Sequence, residues 1–226
     1  MTHDRLDRAV WHALIGRQAS LARRHGKAMR YADDVGLFAA MEEDTPEARR
    51  DLVSLILPGA QIVLLQPGPH VVPEGTEAVL LTEGVQMVLE KHVPAPIISG
   101  AVELGDADAA EMLDLAQLTK PGPFLPRTHV LGTFYGVREQ GRLVAMAGER
   151  IRLDGYSEVS GVCTHPDHRG KGYARMLSHI VARQILARGE TPFLHAFANN
   201  TTAIALYESL GFRTRGIVSV TILKKT

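Results

Sequence analysis

The chain has 226 residues, and its 25 Lys and Arg side chains balance its 25 Asp and Glu side chains. With no net charge and only 5% aromatic residues, it lacks the basic character of nucleic-acid-binding proteins, so we expect no nucleic-acid partner. A single cysteine excludes an intrachain disulfide, no apolar run approaches the ~20 residues of a membrane span, and the charged start does not resemble a secretory signal. We therefore expect a cytoplasmic protein with no membrane partner.

The first half of the chain reads as a mixture of helices and strands. Apolar residues at helical spacing predict a helix over residues 4–24, and Thr45-Pro46 predicts the start of a second helix. A continuous apolar run predicts a buried strand over residues 61–65. Residues 77–81 have the composition of a strand, and residues 84–89 favour a short helix over a strand.

Two prolines mark a change in organisation. Pro94 and Pro96 push the residues before them into extended conformations, so residues 91–97 read as a linker. We therefore expect an N-terminal α/β domain over residues 1–97 and a second domain over residues 98–226.

The second half alternates strands and helices. A Glu-Gln-Gly turn at residues 139–141 predicts a hairpin, and Gly189 predicts the end of a long helix. The predicted strands cover residues 98–104, 133–138, 142–153, 158–164, 193–198 and 216–224. The predicted helices begin at Asp106, after the loop at residues 165–172, and at Asn200.

The loop before the long helix has the chemistry of an anion site. The first amides of a helix lack intrahelical partners and lie at the positive end of the dipole. Gly170 and Gly172 permit close approach of a bulky anion, and Arg169, Lys171 and Arg175 add positive charge. The alternative is an ordinary strand-to-helix turn that needs glycine for its shape. Two other phosphate loops do not match: the chain has no G-x-x-x-x-G-K-[ST], and an arginine replaces the third glycine of G-x-G-x-x-G.

Two motifs resemble one family. The segment Arg169-Gly-Lys-Gly-Tyr-Ala174 matches R/Q-x-x-G-x-G/A, the acyl-CoA pyrophosphate loop of the GNAT superfamily of N-acyltransferases. Residues 200–212 resemble the second motif of that superfamily, N-x-x-A-x-x-L-Y-E-x-x-G-F. The resemblance covers roughly residues 98–226. It implies an α/β (α+β) fold with a mixed, mostly antiparallel sheet, in which the strands at residues 158–164 and 193–198 splay apart.

The resemblance also implies acetyl-CoA as cosubstrate. Its pantetheine arm would pair with strand backbone inside the splay, and its pyrophosphate would lie on the loop. The cofactor-binding residues implied in this way are Val162, Cys163, Thr164, Arg169, Gly170, Lys171, Gly172, Tyr173, Ala174, Arg175 and Asn200.

Two residues are candidates for proton transfer. Glu158 lies eleven residues before Arg169, the position at which the family often has a general base; the alternative is a salt-bridged glutamate on a strand face. Tyr207 matches the family tyrosine that can protonate the departing CoA sulfur; the alternative is an aromatic that packs on the sheet. His195 is a less favoured base. Strand alternation puts Glu158, Ser160, Val162 and Thr164 on one face, unless a bulge intervenes.

Other features were assigned structural roles or left open. We expect no metal site, because a site needs three or four converging ligands and the supporting acids near His165, His168 and His195 are absent. Cys163, in a predicted interior strand, is expected to be buried and structural. The two-domain layout also resembles glycine N-acyltransferases, in which the N-terminal half can be a degenerate copy of the fold that helps to close the acceptor groove.

The favoured function is therefore transfer of an acetyl or other acyl group from acetyl-CoA to a primary amine of a small molecule or amino acid. Two alternatives stay open at this point: a protein N-terminus or lysine as acceptor, and a non-catalytic module that binds acyl-CoA as a sensor. A sensor would need neither Glu158 nor Tyr207. The sequence does not decide between a monomer and a homodimer.

Overall fold

A computed structural model describes residues 4–91 and 100–226 of the chain. The helices are α1 Asp4–Asp7, α2 Ala9–Ile15, α3 Pro46–Ser54, α4 Ala109–Thr119, α5 Tyr173–Ala187 and α6 Thr201–Ser209. The strands are β1 Ala22–His25, β2 Ala28–Tyr31, β3 Ala39–Met41, β4 Gln61–Gln66, β5 Thr76–Leu89, β6 Ala101–Leu104, β7 Phe134–Glu139, β8 Arg142–Leu153, β9 Tyr156–Thr164, β10 Thr191–Phe197 and β11 Phe212–Lys225.

Eight of these strands form one sheet, in the order β4-β11-β5-β10-β9-β8-β7-β6. All neighbours pair antiparallel except β9 and β10, which are parallel. A separate sheet of β1, β2 and β3 lies in the first half. The expected mixed, mostly antiparallel α/β sheet is confirmed.

The large sheet includes strands from both halves of the chain. β5 lies between β10 and β11, and β4 forms the edge beyond β11. The predicted linker falls largely on residues 92–99, outside the described residues, as does the predicted boundary between residues 97 and 98. On either side of that boundary the chain shares one sheet, because 14-residue strands β5 and β11 pair along nearly their whole lengths.

Several local predictions were confirmed, and two helix predictions were wrong. The Thr45 hydroxyl accepts a hydrogen bond from the Ala48 amide at 3.2 Å and caps α3, as expected. Residues 84–89 are not a helix: they form the buried end of β5, where pairing on both sides decides the conformation. The predicted helix over residues 4–24 ends at Ile15, and β1, β2 and β3 were not predicted.

The early end of α2 is explained by the buried side chain of Gln18, which joins the two halves. Its amide nitrogen donates to the carbonyls of Leu131 and Arg150 at 2.9 and 2.7 Å. Its amide oxygen accepts from the Tyr31 hydroxyl at 2.6 Å and from the Arg152 amide at 3.1 Å. The side-chain amide of Gln18 therefore uses all of its hydrogen-bonding capacity within the protein.

The two faces of the sheet bury separate apolar clusters. On one face, α5 packs Met176, Leu177, Val181 and Ile185 against residues such as Leu194 and Val159. On the other, α2 packs Trp11 and Leu14 against residues such as Ile151 and Phe193. The N-terminal helices therefore cover the face opposite α5.

A β-bulge in β9 changes which face its residues occupy. Met146 pairs with Cys163 but Gly148 pairs with Ser160, so β9 carries an extra residue, and Gly161 has a φ of 63°. Val159 and Val162 consequently both pack in the α5 cluster, although they lie three residues apart. The alternation expected for Glu158, Ser160, Val162 and Thr164 therefore does not continue past the bulge, which is the exception allowed in the prediction.

The Phe134 ring packs against the backbone of Gly148 beside this bulge. A Cβ on Gly148 would lie 2.3 Å from the ring of Phe134, a residue that is 1% exposed. Gly148→Ala should lower the free energy of unfolding by about 1–3 kcal/mol, the usual cost of overpacking. Gly216→Ala, where an added Cβ meets nothing within 4 Å, is the control. Chemical denaturation of both variants measures the difference, and equal stabilities would contradict the packing argument.

Candidate active site

The central strands β9 and β10 separate after a short region of pairing. Their parallel ladder joins Thr191 to Tyr156 and ends at Phe193 and Glu158. Beyond this point β9 continues to Thr164 along β8, whereas β10 continues along β5. Among the described residues, the inner edge of the last residues of β9 therefore has no partner strand, as expected for the splay.

A cavity of about 210 Å³ opens at this separation. Its lining combines residues of β9, β10 and α6 with residues of the first half and of β11. The lining residues are Phe38, Val63, Leu65, Gly84, Lys120, Pro121, Gly122, Pro123, Arg150, Val162, His195, Ala196, Phe197, Asn200, Ala203, Tyr207, Val220 and Ile222. The cavity thus brings together three residues singled out from the sequence, Val162, Asn200 and Tyr207, with His195.

The glycine loop has the geometry of an anion site. Gly170 and Gly172 have φ values of 78° and 80°, in the left-handed region that favours glycine, and α5 begins directly after them at Tyr173. A Cβ on Gly170 would meet nothing within 4 Å, so the space beside the backbone is open. The Arg169 guanidinium forms no ion pair with any residue in the described ranges. The residues present therefore fit a pyrophosphate group.

Glu139 engages two of the predicted loop side chains. Its carboxylate accepts hydrogen bonds from the Lys171 ammonium at 2.8 Å and from the Tyr173 hydroxyl at 2.6 Å, and it lies 3.2 Å from His168 Nδ1. These contacts, Lys171 first, lower the pKa of Glu139 to about 2. Lys171 and Tyr173 therefore offer a ligand chiefly their backbone. Glu139 was not singled out from the sequence, because its hairpin turn lies far from the loop along the chain.

The remaining cofactor-binding candidates lie around the separated strands. The Asn200 side chain accepts a hydrogen bond from the Ala203 amide at 3.1 Å and caps α6 while it also lines the cavity. Cys163 is buried as expected, and burial raises the pKa of its thiol to about 11. The buried Thr164 hydroxyl has no hydrogen-bond partner among the described residues. Ala174 and Arg175 lie in the first turn of α5, where Arg175 forms a 3.4 Å contact with the Ser209 carbonyl.

Tyr207 presents a protonated phenol to the cavity. The residue is 8% exposed, and no hydrogen bond to its hydroxyl occurs within residues 4–91 and 100–226. Burial, followed by the nearby negative charge of Glu158, raises the pKa of Tyr207 to about 12. The hydroxyl therefore keeps its proton at neutral pH and is free to donate it.

Glu158 is fully buried in a network of four hydrogen-bond donors. Arg150 binds it through Nε and Nη2 at 2.9 and 2.8 Å, the Ile151 amide donates at 3.3 Å, and His195 Nδ1 lies 2.8 Å away. Burial alone would raise the pKa of Glu158, but Arg150 and then His195 outweigh it and hold the pKa below its usual value. The carboxylate is therefore charged and saturated with donors.

His195 has a defined proton arrangement because the orientation of Gln86 is defined. The Gln86 amide nitrogen donates to the Leu6 carbonyl at 2.9 Å, and its oxygen accepts from Arg215 at 2.8 Å. The same nitrogen lies 3.0 Å from His195 Nε2, which must therefore accept. The His195 proton lies on Nδ1, and this nitrogen donates to Glu158.

The sequence did not reveal Arg150 and Gln86 as members of this network. Arg150 lies on β8, eight residues before Glu158, and Gln86 lies on β5. Pairing in the sheet brings them together, and no local pattern marks them. Within the described ranges no group of three or more His, Cys, Asp or Glu residues could hold a metal ion. None of the described helices is both long and apolar enough to cross a bilayer.

Comparisons with known proteins identify relatives of the second half. The sequence model of the FR47-like protein family matches residues 134–220. The ribosomal protein bS18-alanine N-acetyltransferase of Escherichia coli K12 is 33% identical over 79 residues, which cover 34% of this chain and 53% of that protein. Its counterpart from Salmonella typhimurium is 38% identical over 72 residues, 31% of this chain and 48% of that protein. The chain spans about half the length of these curated relatives.

Solved structures match the whole chain. A crystal structure from Novosphingobium aromaticivorans, described as a GNAT-family acetyltransferase, is 44% identical with a TM-score of 0.91 and covers 98% of both chains. A GCN5-related N-acetyltransferase from Kribbella flavida is 18% identical with a TM-score of 0.65 and covers 97% of this chain and 95% of its own, which shows the fold alone. From its similarity to the Novosphingobium protein along almost its entire length, the chain belongs to the GNAT family of acetyltransferases.

Proposed function

We propose that the protein transfers an acetyl group from acetyl-CoA to a primary amine of a small molecule or amino acid. The observation that carries this proposal is the cavity at the separation of β9 and β10. It exposes a proton donor, Tyr207, from the α5 side of the sheet and His195 from the opposite side. A thioester placed in the gap between the two strands would lie between them.

The residues that would hold acetyl-CoA are those around the loop and the free strand edge. Backbone amides at the start of α5 and the unpaired Arg169 would bind the pyrophosphate. The inner edge of β9, from Val162 to Thr164, would pair with the pantetheine amides as an added strand. When bound, acetyl-CoA supplies the thioester carbonyl that the amine attacks.

Proton transfers on the two sides of the sheet complete the reaction. The amine nitrogen forms a bond to the acetyl carbon while the carbon–sulfur bond breaks. Tyr207 gives its phenolic proton to the departing sulfur, so CoA leaves as a thiol. The amine gives up one proton to the base, and both side chains then exchange protons with solvent.

We assign the proton-accepting atom to His195 Nε2, with Glu158 as its partner. The Glu158 oxygens already accept from four donors, so the direct role expected for Glu158 is less favoured by the geometry. To accept the proton, Nε2 of His195 needs only to replace its hydrogen bond from the Gln86 amide with one from the amine. The buried carboxylate on Nδ1 would stabilise the imidazolium that forms, as the aspartate of a catalytic triad does.

We favour a small acceptor over a protein alanine, the acceptor named for the bS18-alanine relatives. Residues of the first half, Phe38, Val63 and Leu65, line the cavity together with residues 120–123. The non-catalytic alternative predicts acetyl-CoA binding without transfer to any amine. A thiol-release assay with acetyl-CoA and a panel of amines and amino acids tests the proposed function. Binding of acetyl-CoA without thiol release from any acceptor would support the sensor.

The loop predicts a difference between two neighbouring cations. Arg169→Gln should weaken acetyl-CoA binding about tenfold or more, because it removes an unpaired charge beside the pyrophosphate position. Lys171→Gln is the matched control and should weaken binding less, since Glu139 already neutralises Lys171. Isothermal calorimetry measures both dissociation constants. A larger loss for Lys171→Gln would show that the phosphate draws Lys171 away from Glu139.

If Tyr207 is the general acid, its removal should lower the rate to an extent that a higher pH does not restore. Tyr207→Phe removes only the hydroxyl and should lower kcat by about 10²–10⁴-fold, with acetyl-CoA affinity near that of wild type. Raising the pH should not restore the rate, because the departing sulfur still lacks a proton donor. Tyr156→Phe, a partly exposed tyrosine outside the cavity lining, is the control. A wild-type kcat for Tyr207→Phe at all pH values would remove Tyr207 from the mechanism.

If His195 is the general base, its removal should lower the rate to an extent that a higher pH partly restores. His195→Gln should lower kcat about 10²-fold or more near neutral pH. Part of the loss should return as pH approaches the pKa of the amine, because the acceptor then arrives deprotonated. Glu158→Gln should behave similarly but also lower stability, since Arg150 loses its buried partner. Thermal unfolding separates the two effects, and His129→Gln, whose ring pairs with Asp106, is the control. If only Glu158→Gln is slow, Glu158 itself takes the proton.

A further inference from the structure

The acceptor end of the cavity has an apolar wall. The apolar side chains come from three strands or loops that meet on the side opposite α5. They are Phe38, Val63, Leu65, Val220 and Ile222. Phe38 also lies under the Arg150 guanidinium, whose central carbon is 4.4 Å from the ring centre. The wall therefore favours an acceptor with an apolar body.

The same end of the cavity carries positive charge that the protein does not fully neutralise. Arg150 is 9% exposed and uses Nε and Nη2 for Glu158, whereas no described residue bonds to its Nη1. This nitrogen lies beside Gly122, where an added Cβ would be 3.6 Å from it. Lys120 also lines the cavity and forms no ion pair with the described residues. No Asp or Glu occurs among the described residues of the lining.

This charge is separate from the site for the CoA pyrophosphate. The glycine loop from Gly170 to Gly172 does not contribute to the cavity lining, and Arg169 serves that loop. An anionic group at Arg150 and Lys120 would therefore belong to the acceptor. A second ammonium group there would meet Arg150 and Lys120 and no carboxylate of the described lining, which disfavours polyamines.

The side chains proposed to meet the amine and the anion converge on one carboxylate. Arg150 Nη2 and His195 Nδ1 both bond to the same oxygen of Glu158, Oε1, each at 2.8 Å. Both side chains also line the cavity, so an acceptor there can present an amine to His195 and a neighbouring group to Arg150. An α-amino acid has this arrangement, because one carbon atom carries its amine and its carboxylate.

We propose, on the basis of the proposed function, that the acceptor is an α-amino acid with an apolar side chain. Nη1 of Arg150 and the Lys120 ammonium hold its carboxylate. The apolar wall described above packs against its side chain. The amine then faces His195 and the gap between β9 and β10. Arg150 in this assignment has two roles, since it also holds Glu158.

The experiment compares acceptors that differ only in the carboxylate. Thiol release from acetyl-CoA is measured for L-leucine against isoamylamine and for L-phenylalanine against phenethylamine, with putrescine as a cationic acceptor. Each amino acid should have a kcat/KM at least about tenfold above its decarboxylated partner. Putrescine should be the poorest acceptor. Equal or higher values for the decarboxylated amines or for putrescine would overturn the proposal and leave acetyl transfer itself intact.

A variant and a binding measurement make the test independent of turnover. Lys120→Gln should raise KM for L-leucine several-fold with little change for isoamylamine, whereas Lys224→Gln, a surface control paired with Glu77, should change neither. Calorimetry of the full chain with CoA should show tighter binding of L-leucine than of isoamylamine. If this preference appears without thiol release, acetyl transfer fails and the amino-acid site stands. If the preference is absent from both binding and turnover, the amino-acid site fails.

Discussion

The buried carboxylate of Glu158 lies at the last residue pair that joins β9 to β10. A charge in such a place is tolerated only when partners surround it, and Arg150, His195 and the Ile151 amide supply four donors. Removal of one partner from a buried pair typically costs about 3–5 kcal/mol. The polar network therefore holds β9 and β10 together at the point where their pairing ends. The gap between the two strands beyond this point provides both the free edge of β9 and the cavity.

The network also explains why the first half of the chain belongs to the site. Gln86, on β5, orients His195 and bonds to the Leu6 carbonyl of α1 and to Arg215, which in turn pairs with Asp7. A continuous polar chain thus runs from the N-terminal helix to the carboxylate. Gln18 makes a second connection by bonding to the carbonyl of Arg150. The first half therefore helps to position His195 and Arg150 as well as covering the sheet.

Local chemistry made part of this site predictable. The loop glycines and the Asn200 cap act through neighbouring backbone, so their short motifs describe their structures directly. The polar network around Glu158 joins several strands, and the sequence shows no sign that Arg150 lies beside Glu158 or Gln86 beside His195. Residues 84–89 were misread for a related reason: pairing with β10 and β11 overrides a weak local preference. The resemblance to glycine N-acyltransferases stays a prediction.

The position of β5 in the sheet has a consequence for folding during synthesis. This strand ends at Leu89, but its neighbours in the sheet begin at Thr191 and Phe212. A ribosome must therefore synthesise about 100 further residues before the first of these neighbours begins, while the edges and apolar residues of β5 lack their partners. Contacts of such long sequence separation form slowly, and unpaired strands in a nascent chain are prone to aggregate. We expect chaperones that hold nascent chains to matter most during this interval.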